Sequence, residues 1–493
     1  MKKYSSNQGI RATRFAFIFF SVLWALIVVR NAFATIPTTV VANNPGRARQ
    51  DTVLFSRTLS QVRKKLNYPN QTMRFYKLVN YERAWVKSDT VHSDVFQGMM
   101  LLDCVLQFGL NRNDFHPDKL PYDSLSALTI PRIKTAESAK ITFDIYMTDA
   151  LITLINHLHY GKFNPRITTA VLEGKSQLKL DAAAHLFQAL GQRNFMDAIV
   201  SAQPKTRNYQ LLQDYLHLVK GQYIDDCYEF PEGDARKMAI NMERMRWMNT
   251  ESEYYIQVNI PSYTLSAVRH DSIKLFKVIV GKPSTPSPEL ESQITMMTTA
   301  PEWKVPHKIF ISELLPKALK DSAFLNNNHY SLYDKSGRLI EVNIQRLMEV
   351  KANPGMYSLR QSSGCDNAMG KIVFRFPNLF DIYLHDSPEQ KLFNQTDRPF
   401  SHGCLRVSEA EKLAAWLLVN DRQIAKIAQL KDAIENLLKR DFKLNHPVPI
   451  KITYLTCEIN NGLFTKYPDV YHRDQSLELL MFPGSLNIAK MKK

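Results

Sequence analysis

The segment Ser401-His402-Gly403-Cys404-Leu405-Arg406 places a cysteine and a histidine two positions apart in a polar turn that contains glycine. A second histidine, His385, lies nineteen positions before the cysteine. A thiol attacks a carbonyl as the thiolate, so a neighbouring imidazole that accepts its proton makes it a nucleophile. Flanking backbone N–H groups can hold the oxyanion that this attack forms. We therefore interpret Cys404 as a nucleophile and His385 as its base.

The residues before His385 alternate in polarity. Phe380, Ile382 and Leu384 fall on one face, and Asp381, Tyr383 and His385 on the other. This period of two predicts a strand that ends at His385, with the imidazole opposite the apolar face. The polar Ser387–Arg398 loop would return the chain to Cys404, and Ser408–Glu411 reads as a capping box that begins a helix. A base at a strand end and a nucleophile on the returning loop suit a cysteine acyltransferase.

More than one interpretation of these residues stays open. A cysteine and a histidine are often only a buried thiol and a hydrogen-bonded side chain. A metal site formed by His385, His402 and Cys404 would lack further ligands, because no CxxC or HExxH motif supplies them. Cys365 is a rival nucleophile, although no histidine lies near it in sequence. We expect neither a metal nor another cofactor.

The segments Tyr383–Asp386 and Phe400–Val407 together resemble the signature of L,D-transpeptidases with a YkuD-type catalytic domain. Further segments resemble the large Gram-negative subfamily typified by YcbB: Asn241–Trp247, Val258–Tyr263, Trp303–Pro306 and Asn367–Gly370. The resemblance covers Ile141–Asp474. Asp386 departs from the pattern, since many members have Gly or Ser there. We also find no counterpart of the short peptidoglycan-binding module that many relatives carry before the Asn241 segment.

The resemblance implies a multidomain α+β fold, with an N-terminal all-α scaffold domain and a mainly-β catalytic domain that carries an inserted capping segment. It implies that Cys404 attacks the third residue, a diamino acid, of a tetrapeptide stem and expels the terminal D-alanine. The side-chain amine of another stem would resolve the thioester and give a 3→3 cross-link. The residues assigned to the site are Cys404 and His385 for catalysis, Gly403, Ser401 and His402 for the oxyanion and the loop, and Arg406, Tyr383 and Asn367 for substrate.

Several assignments within this site have a second reading. Arg406 would hold a substrate carboxylate as a bidentate fork, or brace the loop through an ion pair. Ser401 and His402 would shape the loop, with a base role for His402 as a second option. For the whole protein, water could resolve the thioester, which makes an L,D-carboxypeptidase. The protein could also be a transferase or hydrolase of links between envelope proteins and peptidoglycan, or a wall-binding scaffold without activity.

The N-terminus predicts export. Basic residues precede an apolar run, Phe15–Val29, which is followed by Ala32-Phe33-Ala34, the order of a secretory signal. We interpret residues 1–34 as a signal peptide or an anchor in the inner membrane, residues 35–50 as a tether, and the remainder as periplasmic. The formal net charge of +16 would suit anionic headgroups and cell-wall carboxylates. We expect no nucleic-acid partner, because no recognition motif accompanies the charge.

The pattern of apolar residues predicts the domains. Spacings of three and four predict a helical scaffold over residues 51–250, and the period changes to two at Tyr254. The predicted catalytic domain spans 251–425, with a capping insertion at 310–365 that has little core of its own. Residues 426–493 would form a helix and strand extension that packs on the scaffold. With 493 residues and 45% apolar content, the chain can bury several cores.

Overall fold

The computed structural model describes residues 45–87, 90–91, 93–123, 125, 136–174, 178–220, 231–248 and 252–483. The predicted signal segment and the first part of the tether lie outside these residues. The described residues divide into two compact units, one up to Thr58 and the other from Leu59 onward. The tether prediction is wrong from Pro45 onward, because the first helix begins there, and proline is well accepted in the first turn of a helix. No helix in the described part of the chain has the length and apolarity needed to cross a membrane.

The helices and strands follow one another as the change of period predicts. The α-helices are α1 Pro45–Val62, α2 Pro69–Leu78, α3 Ser93–Asp103, α4 Glu137–Tyr160, α5 Thr169–Glu173, α6 Ala182–Ala189, α7 Phe195–Val200, α8 Arg207–Lys220, α9 Glu232–Trp247, α10 His307–Ile309, α11 Leu315–Lys320, α12 Phe324–Asn327, α13 Ile344–Ala352, α14 Ala410–Asn420, α15 Lys426–Glu435 and α16 Asp474–Met481. The strands are β1 Val86–Lys87, β2 Thr90–Val91, β3 Tyr254–Asn259, β4 Thr264–Arg269, β5 Ser272–Gly281, β6 Leu290–Thr299, β7 Trp303–Lys304, β8 Tyr330–Asp334, β9 Leu339–Ile340, β10 Tyr357–Gln361, β11 Ile372–Arg375, β12 Leu384–His385, β13 Pro399–Ser401, β14 Leu405–Val407, β15 Asp441–Thr453, β16 Cys457–Asn460 and β17 Leu463–Lys466.

The helical half is organised around α4, which is buried over most of its length. Two carboxylates on this helix bind the loops around it instead of solvent. Asp144 accepts the N–H groups of Ala84 and Trp85, at 3.0 and 2.9 Å. Asp149 accepts the N–H of Tyr68 at 2.9 Å. A buried carboxylate is costly unless it is hydrogen-bonded. These contacts therefore offset the free-energy cost of burying Asp144 and Asp149, and they fix the loops against α4.

The β-rich half closes into a barrel. Its strands are ordered β13-β5-β14-β12-β11-β6-β15-β3-β4, and β4 pairs with β5 as well as with β3. The barrel continues beyond the predicted boundary at 425/426, since β15 lies between β6 and β3. The α-helix α14 packs its apolar face into the same core. The strands β3, β4 and β5 form an antiparallel meander, and β11 and β12 pair as an antiparallel hairpin.

Two local predictions next to the motif are wrong. The strand before His385 is reduced to Leu384–His385, because Asp381 has a left-handed backbone with φ of 51° and Phe380 is exposed. The side chain of Asn378 binds the N–H and C=O groups of this turn instead. Ser408 is not a helix cap, since its hydroxyl accepts the N–H of Lys277 on β5 and α14 begins without a side-chain cap.

The capping insertion is a folded subdomain. It lies between β6 and β11 and contains a separate four-stranded sheet, β7-β10-β8-β9. Its helices and strands enclose a core that includes Phe310, Leu325, Leu332 and Leu347, all at most 1% exposed. The expectation that this segment has little core of its own is therefore wrong. This core could not be predicted from the sequence, because its apolar residues are separated by polar turns and meet only after long-range strand pairing.

The C-terminal segment after the barrel packs on scaffold helices. Leu455 and Ile459 join a core formed by α8 and α9, and Leu477 packs against α9 as well. A buried ion pair accompanies this contact. Arg244 on α9 binds Asp474 at the start of α16, with 2.5 Å between Nη1 and Oδ1. Burial favours a raised pKa for Asp474, but Arg244, Lys237 and Thr456 together bring it below its usual value.

This pair predicts an unequal response to two matched substitutions. Asp474→Asn keeps the side-chain shape but leaves the Arg244 guanidinium buried without its countercharge, which typically costs about 3–5 kcal/mol. Asp432→Asn is the control, because its ion pair with Arg440 is 3.1 Å long and nearly half exposed on both sides. Such surface pairs contribute about 0–1 kcal/mol. We expect urea unfolding to show the difference; equal free energies of unfolding for the two variants would contradict it.

Candidate active site

The strands β12 and β14 bring His385 and Cys404 together. They run parallel, with Leu384 opposite Leu405 and His385 opposite Arg406. Leu384 and Leu405 are both fully buried in the barrel core. Because side chains alternate along a strand, His385 and Cys404 lie on the other face as diagonal neighbours. The strand pairing thus places the two residues on the same face of the sheet.

The imidazole of His385 is buried, with 5% of the residue exposed. Its Nδ1 lies 2.6 Å from the carbonyl oxygen of Asp386. A carbonyl only accepts, so Nδ1 carries the proton and Nε2 holds the lone pair of the neutral ring. Burial, and after it the charge of Arg406, lower the pKa of His385 to about 4, while the Asp386 and Met369 carbonyls oppose this shift. At neutral pH the ring is a free base.

The thiol of Cys404 is partly buried and not disulfide-bonded. Burial raises its pKa, while the N–H of Tyr383 and the charge of Arg406 act in the opposite direction. The resting thiol is therefore protonated near neutral pH, next to groups that favour the thiolate once it forms. The same two groups explain why this cysteine differs from a thiol packed in an apolar core, where nothing stabilises the charged form.

The loop before Cys404 is held by its own polar groups. The hydroxyl of Ser401 donates to the Cys404 carbonyl at 2.5 Å and accepts the Gly403 N–H at 3.2 Å. Gly403 has φ of +113°, a backbone conformation that side chains rarely adopt. An added Cβ would meet no atom closer than 3.7 Å. Glycine is required here by conformation and not by crowding, and its N–H is already engaged by Ser401.

His402 connects residues 401–404, called the catalytic loop here, to the capping subdomain. Its Nε2 lies 2.5 Å from Oε1 of Glu313. Glu313 belongs to a π-helical turn, Phe310–Leu314, between α10 and α11. Pro316 in the next turn cannot donate a backbone hydrogen bond, which accounts for a local departure from α-helical pairing. Sequence reasoning missed Glu313, because 89 positions separate it from His402 and no motif marks it.

Arg406 and Tyr383 flank Cys404. Arg406 forms an ion pair with Glu389 of the loop between the two strands. This contact favours the bracing role for Arg406 over a free substrate fork. The ring of Tyr383 packs against Arg375, and its carbonyl accepts the N–H of Leu405 at 2.9 Å. The backbone of Tyr383 therefore holds Leu405, the residue that follows Cys404.

Asn367 does not face the site as predicted. It is fully buried, and its amide group donates to the carbonyls of Ser362 and Gln361, at 2.8 and 3.4 Å. Its side-chain oxygen accepts the N–H of Met369. Each polar group of the side chain is thus bonded to neighbouring backbone. Asn367 fixes the turn that leads to Met369, whose backbone raises the pKa of His385, so the link of Asn367 to the site is indirect.

The rival thiol, Cys365, is exposed and has a histidine nearby after all. His329 of the capping subdomain lies 2.9 Å from the carboxylate of Asp366, the next residue after Cys365. Their pairing arises from β8 and β10, which the sequence does not reveal. Both His329 and Asp366 are about half exposed, so the environment of Cys365 lacks the enclosed base found at Cys404. Within the described residues, no three acidic, histidine or cysteine side chains converge as metal ligands do.

Two models of known families match parts of the chain. Residues 253–427 match the model of the L,D-transpeptidase catalytic domain, YkuD, and residues 70–216 match the model of the Scaffold domain. A Haemophilus influenzae protein, named provisionally as an L,D-transpeptidase, is 33% identical over 252 residues. This match covers 50% of the present chain and 49% of the relative, about half the length of each.

A solved structure also matches, that of Mycobacterium tuberculosis L,D-transpeptidase 1. The match covers 40% of this chain and 60% of that chain at 12% identity, with a TM-score of 0.16, too low to bear on the fold. The assignment rests on the two domain models, with the Haemophilus influenzae relative beside them. The chain carries a YkuD L,D-transpeptidase catalytic domain, which includes His385 and Cys404, together with a Scaffold domain.

Proposed function

We propose that the protein is a cysteine L,D-transpeptidase that forms 3→3 cross-links between peptidoglycan stem peptides. The observation that carries this proposal is the pairing of β12 with β14, which sets His385 and Cys404 on one face at the end of the barrel. The YkuD domain supports the reaction class. The substrates and the linkage are inferred from the family resemblance and from the chemistry of the site.

The resting site holds a neutral thiol and a neutral imidazole. The pKa of Cys404 is raised and that of His385 is lowered, so the thiolate–imidazolium pair is the minor form before substrate binds. Proton transfer to Nε2 of His385 therefore accompanies attack of the sulfur on the donor carbonyl. A base whose pKa lies below the working pH is present entirely in its accepting form.

The reaction takes place in two steps, acylation of Cys404 and transfer of the acyl group to the acceptor amine. In the first, the sulfur bonds to the carbonyl carbon of the diamino acid, and the peptide bond to the terminal D-alanine breaks. The imidazolium of His385 returns its proton to the leaving amine. In the second, the acceptor amine attacks the thioester, loses a proton to His385, and Cys404 leaves as the thiol. No redox step or cofactor enters this sequence.

The acceptor distinguishes the proposal from its competitors. If water resolves the thioester, the same site is an L,D-carboxypeptidase; an envelope-protein lysine in place of the stem amine makes a protein–wall ligase. The capping subdomain touches the catalytic loop through Glu313 and His402. This contact supports a groove covered during reaction, which favours an amine acceptor over bulk water. A wall-binding scaffold without activity would not need the opposed pKa shifts of His385 and Cys404.

The place of action follows from the N-terminal sequence. Basic residues, the apolar run Phe15–Val29 and Ala32-Phe33-Ala34 support export with cleavage or with retention as an anchor at the inner membrane. Peptidoglycan is reached only outside the cytoplasm, so we propose a periplasmic location.

The nucleophile assignment predicts different results for two cysteine variants. Cys404→Ala should abolish both carbapenem acylation and the appearance of 3→3 cross-linked muropeptides when expressed in cells that lack this activity. Cys365→Ala should retain most of both, since its thiol is exposed and has no buried base. Mass spectrometry of the acylated protein and of muropeptides measures the two outcomes. Labelling of Cys365 with Cys404 unmodified would sink the assignment, and products shortened by one D-alanine without cross-links would favour the carboxypeptidase.

The lowered pKa of His385 predicts the acid limb of the rate profile. The ring accepts a proton only while neutral, so acylation of Cys404 should stay constant from about pH 7 to well below 6.5 and fall as the pH approaches about 4. Arg406→Gln removes a charge that lowers this pKa, so the limb should move to higher pH. His385→Ala should lose about 10²–10⁴-fold in rate. A wild-type limb centred near 6.5 would show an ordinary, solvated histidine and contradict this prediction.

A further inference from the structure

The loop between β5 and β6 supports the catalytic loop from behind. Ser287 in this loop is fully buried. Its hydroxyl donates to the carbonyl oxygen of Gly403 at 2.8 Å and accepts the N–H of Gly281 at 2.9 Å. The hydroxyl of Tyr471 accepts the N–H of Ser287 at 3.1 Å and donates to the Gly281 carbonyl at 2.7 Å. Ser287 is thereby fixed on both its side chain and its backbone.

The carbonyl that Ser287 binds shares a peptide plane with the N–H of Cys404. A trans peptide is planar, and its C=O and N–H point in opposite directions. Holding the Gly403 oxygen on one side therefore sets the direction of the Cys404 N–H on the other. In the described part of the chain no acceptor takes this N–H, whereas the Gly403 N–H is bonded to Ser401. The Cys404 N–H is the donor left for an oxyanion.

We propose that Ser287 is a positioning residue that aims and polarises the Cys404 N–H as the oxyanion donor. The proposal rests on the proposed function, in which the attack of Cys404 creates a negatively charged oxygen. A hydrogen bond to a peptide carbonyl polarises the whole amide and strengthens its N–H as a donor. A donor held in advance of the reaction needs no reorganisation when the charge develops.

The fit of this loop is tight. At Gly281 an added Cβ would lie 2.2 Å from the carbonyl oxygen of Thr285 and 2.7 Å from the N of Ser287. The backbone of β5 thus comes as close as glycine allows to the segment that carries Ser287. On the other side of Cys404, the Ser401 hydroxyl holds the Cys404 carbonyl. Two buried serine hydroxyls fix the two peptide planes that flank the nucleophile.

The test compares two reagents that react with the same thiol. A carbapenem forms a tetrahedral oxyanion when Cys404 opens its ring, whereas iodoacetamide alkylates the thiol by displacement without an oxyanion. Rates are measured in the full-length protein by mass spectrometry of the peptide that contains Cys404. For Ser287→Ala we expect acylation to fall at least about 10-fold, since loss of one oxyanion donor typically costs about 10²–10³. Alkylation should stay within about 2-fold of the wild-type rate.

The control and a second variant make the comparison decisive. Ser292→Ala removes another serine–carbonyl hydrogen bond, to Pro377, away from the catalytic loop, and should leave both rates unchanged. Tyr471→Phe keeps the Ser287 hydroxyl but frees its backbone, so acylation should fall by a smaller factor with alkylation retained. If Ser287→Ala does not fold, Tyr471→Phe carries the comparison.

Three results would overturn the proposal. Unchanged acylation in folded Ser287→Ala would exclude a role for its hydroxyl. An equal loss with both reagents would show that Ser287 supports the loop generally and not the oxyanion donor. If Ser287→Ala does not fold, acylation of Tyr471→Phe at the wild-type rate would overturn the proposal. Failure of the proposed function is a separate outcome, in which wild-type protein takes up the carbapenem at a residue other than Cys404.

Discussion

The buried contact between α9 and the C-terminal segment is the constraint on which the relative placement of the helical and β-rich halves depends. Arg244 pairs with Asp474, and the side chain of Asn241 binds both the N–H and the hydroxyl of Thr456. These polar groups are removed from water, so each must find its partner for the segment to pack. These hydrogen bonds and the ion pair form only in one arrangement of the segment on α9. It sets the direction in which the chain leaves β15, and Tyr471 on that same segment reaches back to Gly281 and Ser287.

His385 and Cys404 are accordingly held by several sets of contacts. The barrel fixes β12 and β14 through Leu384 and Leu405, which are fully buried. The loops at the strand ends hold the peptide groups on both sides of Cys404. The Ser401 hydroxyl binds the Cys404 carbonyl, and Ser287 of the β5–β6 loop binds the Gly403 carbonyl. Charge is supplied by Arg406, which acts on His385 and Cys404 together. Each set of contacts is drawn from a different stretch of sequence, so the pKa values of the pair are a property of the assembled fold.

This explains which features could be predicted from sequence. Cys404 and His385 stand in a short motif whose chemistry depends on residue type, and the β3–β4–β5 meander has a clear period of two. The Phe380 strand and the Ser408 cap failed, because Asn378 and Lys277 compete for the same backbone and hydroxyl groups through tertiary contacts. Asn367 carried a family match but turned out to be a bracing residue. Glu313, His329 and Ser287 had no sequence signal, since each meets its partner only through strand pairing or loop packing.

The capping subdomain begins and ends at neighbouring strands. β7 and β10 pair antiparallel, with Trp303 opposite Gln361, so the chain leaves and rejoins the barrel at adjacent points. The insert also encloses its own core, so its packing is largely separate from that of the barrel. Sequence change within the insert can alter the surface beside the loop of Cys404, which it contacts through Glu313, while the barrel strands keep their register. We therefore expect the insert to tolerate replacement as a unit, with Trp303 and Gln361 as the junction.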